Sequence, residues 1–339
     1  MKLVSYLTTE DTDQLAIYHD GFLYNLQIFD PELPDNMMDF LYEGDEMMAI
    51  VKTYNELLKT TDQYKKNGIA INKVELLAPV PHPTSCRDGY AFRQHVEAAR
   101  RNRGLEMIEE FDQFPIFYFT NHNAIQGPGE IECMPDHFQQ LDFELEVAIV
   151  VGKQGIDVKA SEADEYIAGY MIMNDMSARV LQMEEMKLNL GPAKGKDFST
   201  VIGPWLVTPD ELEPFKVPCK AGHTGNAYNL KMKCWVNGTM VSEGNMADMD
   251  WTFAEILERS AYGTPILPGD VLGSGTVGTG CFLELNGTGM RLQPDNFKPQ
   301  WLQDGDVVKM EVDGLGILIN EITAVASDFS ILKLKKKLK

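Results

Sequence analysis

The run Leu141-Asp142-Phe143-Glu144-Leu145-Glu146-Val147-Ala148-Ile149-Val150-Val151 alternates apolar and polar positions and then turns wholly apolar. Alternation with a period of two predicts a β-strand. Phe143, Leu145 and Val147 then share one face, and Glu144 and Glu146 stand side by side on the other. The run alone leaves two readings: a half-buried strand with an acidic, solvated face, since glutamate is rarely buried, or a carboxylate pair that needs a cation.

Around this run the pattern predicts a mainly β protein. Short strands are expected over residues 2–7, 14–18 and 22–28, the last two joined by the turn signal His19-Asp20-Gly21. The spacing of Met47, Ile50, Val51, Tyr54, Leu57 and Leu58 predicts an amphipathic helix over 45–59. After a strand at 74–77, Ala78-Pro79-Val80-Pro81-His82-Pro83 loses backbone donors and is forced into extended geometry, which marks a boundary. Residues 1–77 are thus expected to form a small N-terminal β-rich domain and 78–339 the main domain. Residues 93–110, with Arg100, Arg101 and Arg103, are polar and helical in tendency and read as a mobile cover. Further strands are expected at 116–120, 166–173, 203–207, 230–236, 271–273, 282–285 and 306–312, with short helices at 162–166, 178–186 and 253–260. The fold class is α+β, mainly β with a few helices.

Charge narrows the partners. Fifty-one acidic residues against 30 basic ones give a formal charge of −21, which repels phosphate backbones and anionic membranes, so neither nucleic acid nor a membrane is expected as a partner. An anionic substrate would need a local positive site, a bound metal or a few Arg and Lys. The five cysteines are widely spaced without a Cys-x-x-Cys pair and read as reduced thiols. The N-terminus meets acidic residues too early for a signal-peptide core, and no eighteen apolar residues run together, so a cytoplasmic location is expected. The basic run at 333–339 reads as a solvated tail.

Seven more residues and one glycine-rich segment bear on chemistry. Asp175 ends an apolar run and reads either as a helix N-cap or as a third carboxylate beside Glu144 and Glu146. Asp88, in Arg87-Asp88-Gly89, reads either as an Asp-Gly turn or as a fourth oxygen ligand. An all-oxygen set suits magnesium, calcium or manganese and disfavours zinc. His95 lies seven residues beyond Asp88 and could act as a general base near such a metal. Arg179, Gln182, Lys196 and Thr200 follow Asp175 and offer donors for an oxyanion or a substrate carboxylate, unless they are surface residues. Gly273-Ser274-Gly275-Thr276-Val277-Gly278 matches Gly-x-Gly-x-x-Gly, but the residues after it read as a strand, so the glycines are taken to line a close approach of backbone to a ligand.

The chain resembles the fumarylacetoacetate hydrolase family over about residues 80 to 325. The matching blocks, in order, are Leu141-Asp142-Phe143-Glu144-Leu145-Glu146, Met173-Asn174-Asp175-Met176-Ser177-Ala178-Arg179, Gly195-Lys196-Asp197-Phe198, Pro268-Gly269-Asp270-Val271 and Gly275-Thr276. The resemblance implies a mixed β-sandwich roll with an SH3-like N-terminal domain, and metal ligation by Asp88, Glu144, Glu146 and Asp175, with Lys196 and Thr200 beside the metal. It implies His95 as the base, oriented by Glu284 from a Leu-Glu-Leu strand, which favours the fumarylacetoacetase branch. Tyr90, Gln182 and Thr276 match substrate contacts, and Arg179, Gln182 and Lys196 match groups that stabilise negative charge. The implied activity is metal-dependent hydrolysis of a carbon–carbon bond in a 1,3-diketo acid such as fumarylacetoacetate, in a homodimer. Met186 stands where the branch carries a substrate-contacting tyrosine, and the segment 276–282 is shorter than its counterpart, which leaves the acid open. Acylpyruvate hydrolysis and keto-acid decarboxylation or isomerisation are the alternatives within the family, and a non-catalytic metal-binding scaffold is the alternative outside it.

Overall fold

The computed structural model describes residues 1–336. The last three residues of the basic tail lie outside the described residues, and within the rest of it Lys335 pairs with Glu184 at 2.7 Å.

The alternating run forms the strand Leu145–Val151, buried at every position. It lies between the strands Ile167–Asp175 and Asp270–Gly273, inside a twelve-stranded sheet. Leu145, Val147, Ile149 and Val151 belong to a core shared with Met232, Cys234, Met310 and Leu318 of a second, five-stranded sheet. Ala148 and Val150 face the opposite way, into a core with Met37, Phe40, Leu41 and Val51 of the helix Met37–Thr60. A strand covered on both sides must be apolar almost throughout. The solvated acidic face is therefore absent: Glu144 and Glu146 are 5% and 0% exposed.

The large sheet continues from Ile167–Asp175 through Thr200–Val207 to Lys2–Leu7, where Lys2 lies opposite Val207, and then through Asp13–His19 to Phe22–Asn25. On the other side Asp270–Gly273 pairs in parallel with Ser85–Gly89, which pairs with Phe117–Thr120. The expected mainly β architecture is observed, with seven α-helices among the described residues. The helix expected over 45–59 starts earlier, at Met37, and is broken at Gly44, whose φ is 72°.

Two expectations are corrected. Residues 93–110 are not polar throughout; the helix Arg93–Arg101 buries His95, Val96 and Ala98 and packs on the helix Phe282–Leu292. Residues 282–285 are the first turn of that second helix rather than a strand. The buried carboxylate of Asp142 accepts the Phe282 and Leu283 amides at 2.7 and 2.9 Å, which satisfies donors that a helix start leaves open. Gly287 and Gly289 weaken the helical pattern in the sequence, and in the structure the side chains of Asn102 and Phe297 occupy the space where their Cβ atoms would stand.

Asp270 fixes the register that carries Asp88. Its Oδ1 accepts from the Thr84 and Ser85 hydroxyls, both at 2.7 Å, and its Oδ2 accepts from the Leu267 amide at 3.0 Å and from Arg87 at 3.3 Å. Arg87 and Asp270 are both buried, so removing the acid strands a guanidinium away from water. Asp270→Ala is expected to cost about 3–5 kcal/mol in urea unfolding, with partial recovery when Arg87→Met is added. An unchanged midpoint would mean that the pair does not hold the strands together.

His137 fastens the approach to the central run onto the segment that carries Lys196. Its ring lies 4.0 Å from that of Phe198, and its Nδ1 accepts the Met134 amide at 3.1 Å. Burial, and next the Lys194 charge, push its pKa down from 6.5 to about 4. Above the higher value both folded and unfolded states are neutral here, and below it the unfolded state alone takes the proton. Stability should fall as pH drops from the upper to the lower value, by about 3 kcal/mol in full. Urea unfolding across that window should give a flatter profile for His137→Asn, which keeps an acceptor and cannot titrate; equal slopes would contradict this.

Candidate metal-dependent active site

Three strand pairings bring four carboxylates together. Glu146 is the second residue of Leu145–Val151, with Glu144 just before it; Asp175 ends the neighbouring strand, and Asp88 sits in Ser85–Gly89. One oxygen from each of Asp88, Glu144, Glu146 and Asp175 lies within 4.8 Å of the others, and all four residues are buried. Asp175 is no N-cap, since the next helix starts only at Arg179 and has no side-chain cap. Nor is Asp88 in a turn. The glycines of 273–278 make room for it: a Cβ on Gly273 would strike Asp88 Oδ1, and Gly275, at φ +78°, donates its amide to the same oxygen at 3.0 Å. The helix that follows these glycines begins only at Phe282, and the backbone that Gly275 approaches is that of Gly89 and Tyr90.

Acids outnumber cations here. Lys196 donates to Asp175 Oδ2 at 2.6 Å and to Glu144 Oε2, while Arg179 donates to Glu144 Oε1 at 2.8 Å. Burial, then the Asp175 charge, pushes Asp88 up to about 7. Burial and neighbouring carboxylates, Asp88 first, raise Glu146 well above the usual range. Burial also opposes ionisation of Glu144, but Lys196 and Arg179 outweigh it and hold that carboxyl low. Burial opposes the charge on Lys196 as well, and Asp175 and Glu144 more than restore it. Glu146 Oε2 and Asp175 Oδ1 are buried without any hydrogen-bond partner. Two orphaned oxygens within a four-carboxylate cluster are the donor set of a hard divalent cation, and a cation there would relieve the crowding that raises Asp88 and Glu146.

The other expected residues border this cluster. The Thr276 hydroxyl donates to Glu146 Oε1 at 3.3 Å, and Thr200 lies opposite Asp175 in the register. His95 Nδ1 and Glu284 Oε2 are 2.7 Å apart and both side chains are buried, so the imidazole is oriented by a carboxylate delivered from a helix. The Thr279 amide donates to the other Glu284 oxygen at 3.0 Å, and the Asn102 amide group holds the Glu284 carbonyl. Tyr90 stands edge-on to His95, ring centres 6.1 Å apart. Gln182 accepts from Arg179 at 3.0 Å, and Met186 is exposed at the far end of the same helix.

Arg179 also donates to Asp142, through Nε at 2.9 Å and Nη2 at 2.7 Å. Asp142 was not singled out by motif reasoning, yet it has the same parity as Glu144 and Glu146, and that alternation was the available signal. It joins the Arg179 helix to the helix that carries Glu284. Tyr118, whose hydroxyl donates to Asp175, and Asn174, whose Oδ1 accepts the Glu144 amide at 3.0 Å, carry no comparable signal.

Magnesium or manganese is expected to raise the melting temperature, with about 3 kcal/mol of added stability at roughly 100 times Kd, and a chelator should reverse it. Glu146→Gln and Asp88→Asn should lose most of that gain without a lower metal-free melting temperature, because each relieves like-charge crowding. An equal gain in both variants would place the cation elsewhere.

The chain as a whole is similar to known proteins. The family described as fumarylacetoacetate (FAA) hydrolase, C-terminal, matches residues 84–323. The mitochondrial oxaloacetate tautomerase Fahd2a of Rattus norvegicus is 29% identical over 306 residues, covering 89% of this chain and 84% of that protein. The structure of a fumarylacetoacetate hydrolase from psychrophilic Exiguobacterium antarcticum superposes with a TM-score of 0.68 at 25% identity, covering 96% of this chain and 100% of that one. A maleylpyruvate hydrolase from Sphingobium sp. SYK-6, solved with manganese(II) and pyruvate, shares the fold at TM-score 0.64 and 19% identity, over 96% of this chain and 99% of that one. With the family match spanning most of the chain, this protein belongs to the fumarylacetoacetate hydrolase family.

Proposed function

We propose that the protein is a divalent-cation-dependent enzyme that moves a proton between carbon and oxygen in a short 2-keto acid with a second carbonyl or carboxylate group, oxaloacetate being the type. The observation that carries this reading is the oriented imidazole, His95 on Glu284, beside four buried carboxylates. The likeness to an oxaloacetate tautomerase over 89% of the chain supports keto–enol chemistry ahead of the carbon–carbon hydrolysis that the motifs suggest.

A divalent cation held by Asp88, Glu144, Glu146 and Asp175 would supply Lewis-acid polarisation and a counter-charge for an anionic substrate in this acidic protein. Magnesium, calcium and manganese all suit the oxygen ligands. His95 takes the proton from the carbon between the two carbonyl groups onto Nε2, while its Nδ1 proton stays with Glu284, which offsets the imidazolium charge. The same nitrogen then hands the proton to the enolate oxygen, so no water is consumed and no carbon–carbon bond breaks. Lys196 and Arg179, both held protonated by the surrounding acids, keep positive potential where negative charge develops.

The second reading is hydrolysis of a 1,3-diketo acid such as fumarylacetoacetate or an acylpyruvate. The same dyad favours it, because a carboxylate-backed imidazole also deprotonates water. The deciding experiment follows the enol absorbance of oxaloacetate and the loss of fumarylacetoacetate and acylpyruvates, with manganese or magnesium added and then chelated. Metal-dependent conversion of oxaloacetate is expected. Cleavage of a diketo acid alone would replace the proposal with the hydrolytic reading, and a metal-raised melting temperature with no turnover at all would leave a binding scaffold. His95→Ala should lower kcat by about 10² to 10⁴ with the metal-dependent gain in stability intact; Glu284→Gln should fall in between. Undiminished turnover in His95→Ala would remove the base from the mechanism.

A further inference from the structure

Beside the carboxylate cluster the fold gathers a second set of metal-binding side chains. A ring nitrogen of His95, Cys281 Sγ and a carboxylate oxygen of Glu144 lie within 4.8 Å of one another, and all three residues are buried. Cys281 immediately precedes the helix Phe282–Leu292, so the turn that brings Glu284 to His95 also brings the thiol. These donors differ in kind from the first set. Imidazole, thiolate and a single carboxylate suit zinc-class ions, whereas the four oxygens of the first set suit harder ones.

The His95–Glu284 bond is an independent pointer. Metal-ligating histidines almost always donate their second ring N–H to a carboxylate or carbonyl, which fixes the tautomer and raises the basicity of the ligating nitrogen. With Nδ1 held by Glu284 at 2.7 Å, the free lone pair is on Nε2. An arrangement that prepares a base therefore prepares a ligand too.

We propose that His95, Cys281 and Glu144 form a second cation site, selective for zinc-class ions, whose occupation silences the enzyme by taking the lone pair of its base. On binding, the Cys281 thiol releases its proton to solvent and its sulfur ligates as thiolate; the imidazole ligates neutral, with no change of oxidation state. Glu144 is common to both ligand sets, and three protein ligands leave a fourth position for water. The site itself stands on the geometry; its effect on turnover rests on His95 being the base proposed above.

The test titrates cobalt(II), then zinc(II), into reduced full-length protein kept in excess magnesium. Cobalt should give a thiolate-to-metal charge-transfer band at one equivalent in the wild type, and zinc should abolish the band and the turnover together. Cys281→Ser, and Cys281→Ala as a second variant, should lack the band, keep turnover in magnesium, and need at least roughly tenfold more zinc for inhibition. No thiolate band in the wild type overturns the site, whatever the variants do. A band that survives in both variants assigns it to another thiol and also overturns it. A band lost in the variants with equal zinc sensitivity overturns the silencing and retains the site. The spectroscopic arm needs no substrate, so failure of the proposed reaction is distinguishable from failure of the site.

Discussion

Burying more carboxylates than cations in one place is the constraint on which this structure depends. Glu144, Glu146, Asp175, Asp88 and Asp142 are all withdrawn from water, and among the described residues only Lys196 and Arg179 form ion pairs with them. Taking charges out of water is costly unless they are paired and hydrogen-bonded. The sheet accepts this cost at the ends of its central strands. Part of the excess is relieved by raising the pKa of Asp88 and Glu146, and two oxygens remain without a partner. A divalent cation removes both defects at once, which is why the cluster reads as a site prepared for one.

The rest of the molecule keeps that cluster in register. The core shared with the five-stranded sheet and the core beneath the helix Met37–Thr60 clamp Leu145–Val151 from both sides. Asp270 ties down the strand that carries Asp88. Asp142 then links the cluster to the chemistry: one buried carboxylate holds Arg179, which supports Glu144, and also the amides at the head of the helix that carries Glu284. The positions of metal ligand and base are thus coupled through a residue that need touch neither the cation nor the substrate.

Much of this was legible in the sequence where period and spacing carry it. The alternation around Glu144 and Glu146 predicts a strand with paired acids, and the apolar run before Asp175 predicts a second strand, which the structure pairs with the first. The interval from Asp88 to His95 fits a strand followed by a helix. What local patterning misreads is set by distant contacts. Phe282-Leu283-Glu284-Leu285 reads locally as a strand, but it is the first turn of a helix whose opening amides are taken by the distant Asp142 carboxylate. The helix Arg93–Arg101 looks uniformly polar because few of its side chains are buried, His95 among them. Tyr118 and Asn174 reach the cluster through pairing that no short window of sequence contains.

These four carboxylates are proposed to hold one hard divalent cation. Anomalous diffraction from crystals grown with manganese locates that cation directly. A single strong peak among Asp88, Glu144, Glu146 and Asp175, within bonding distance of the oxygens of Glu146 and Asp175 that lack partners here, is expected. No peak in that cluster, with the metal at another site or at none, would contradict it.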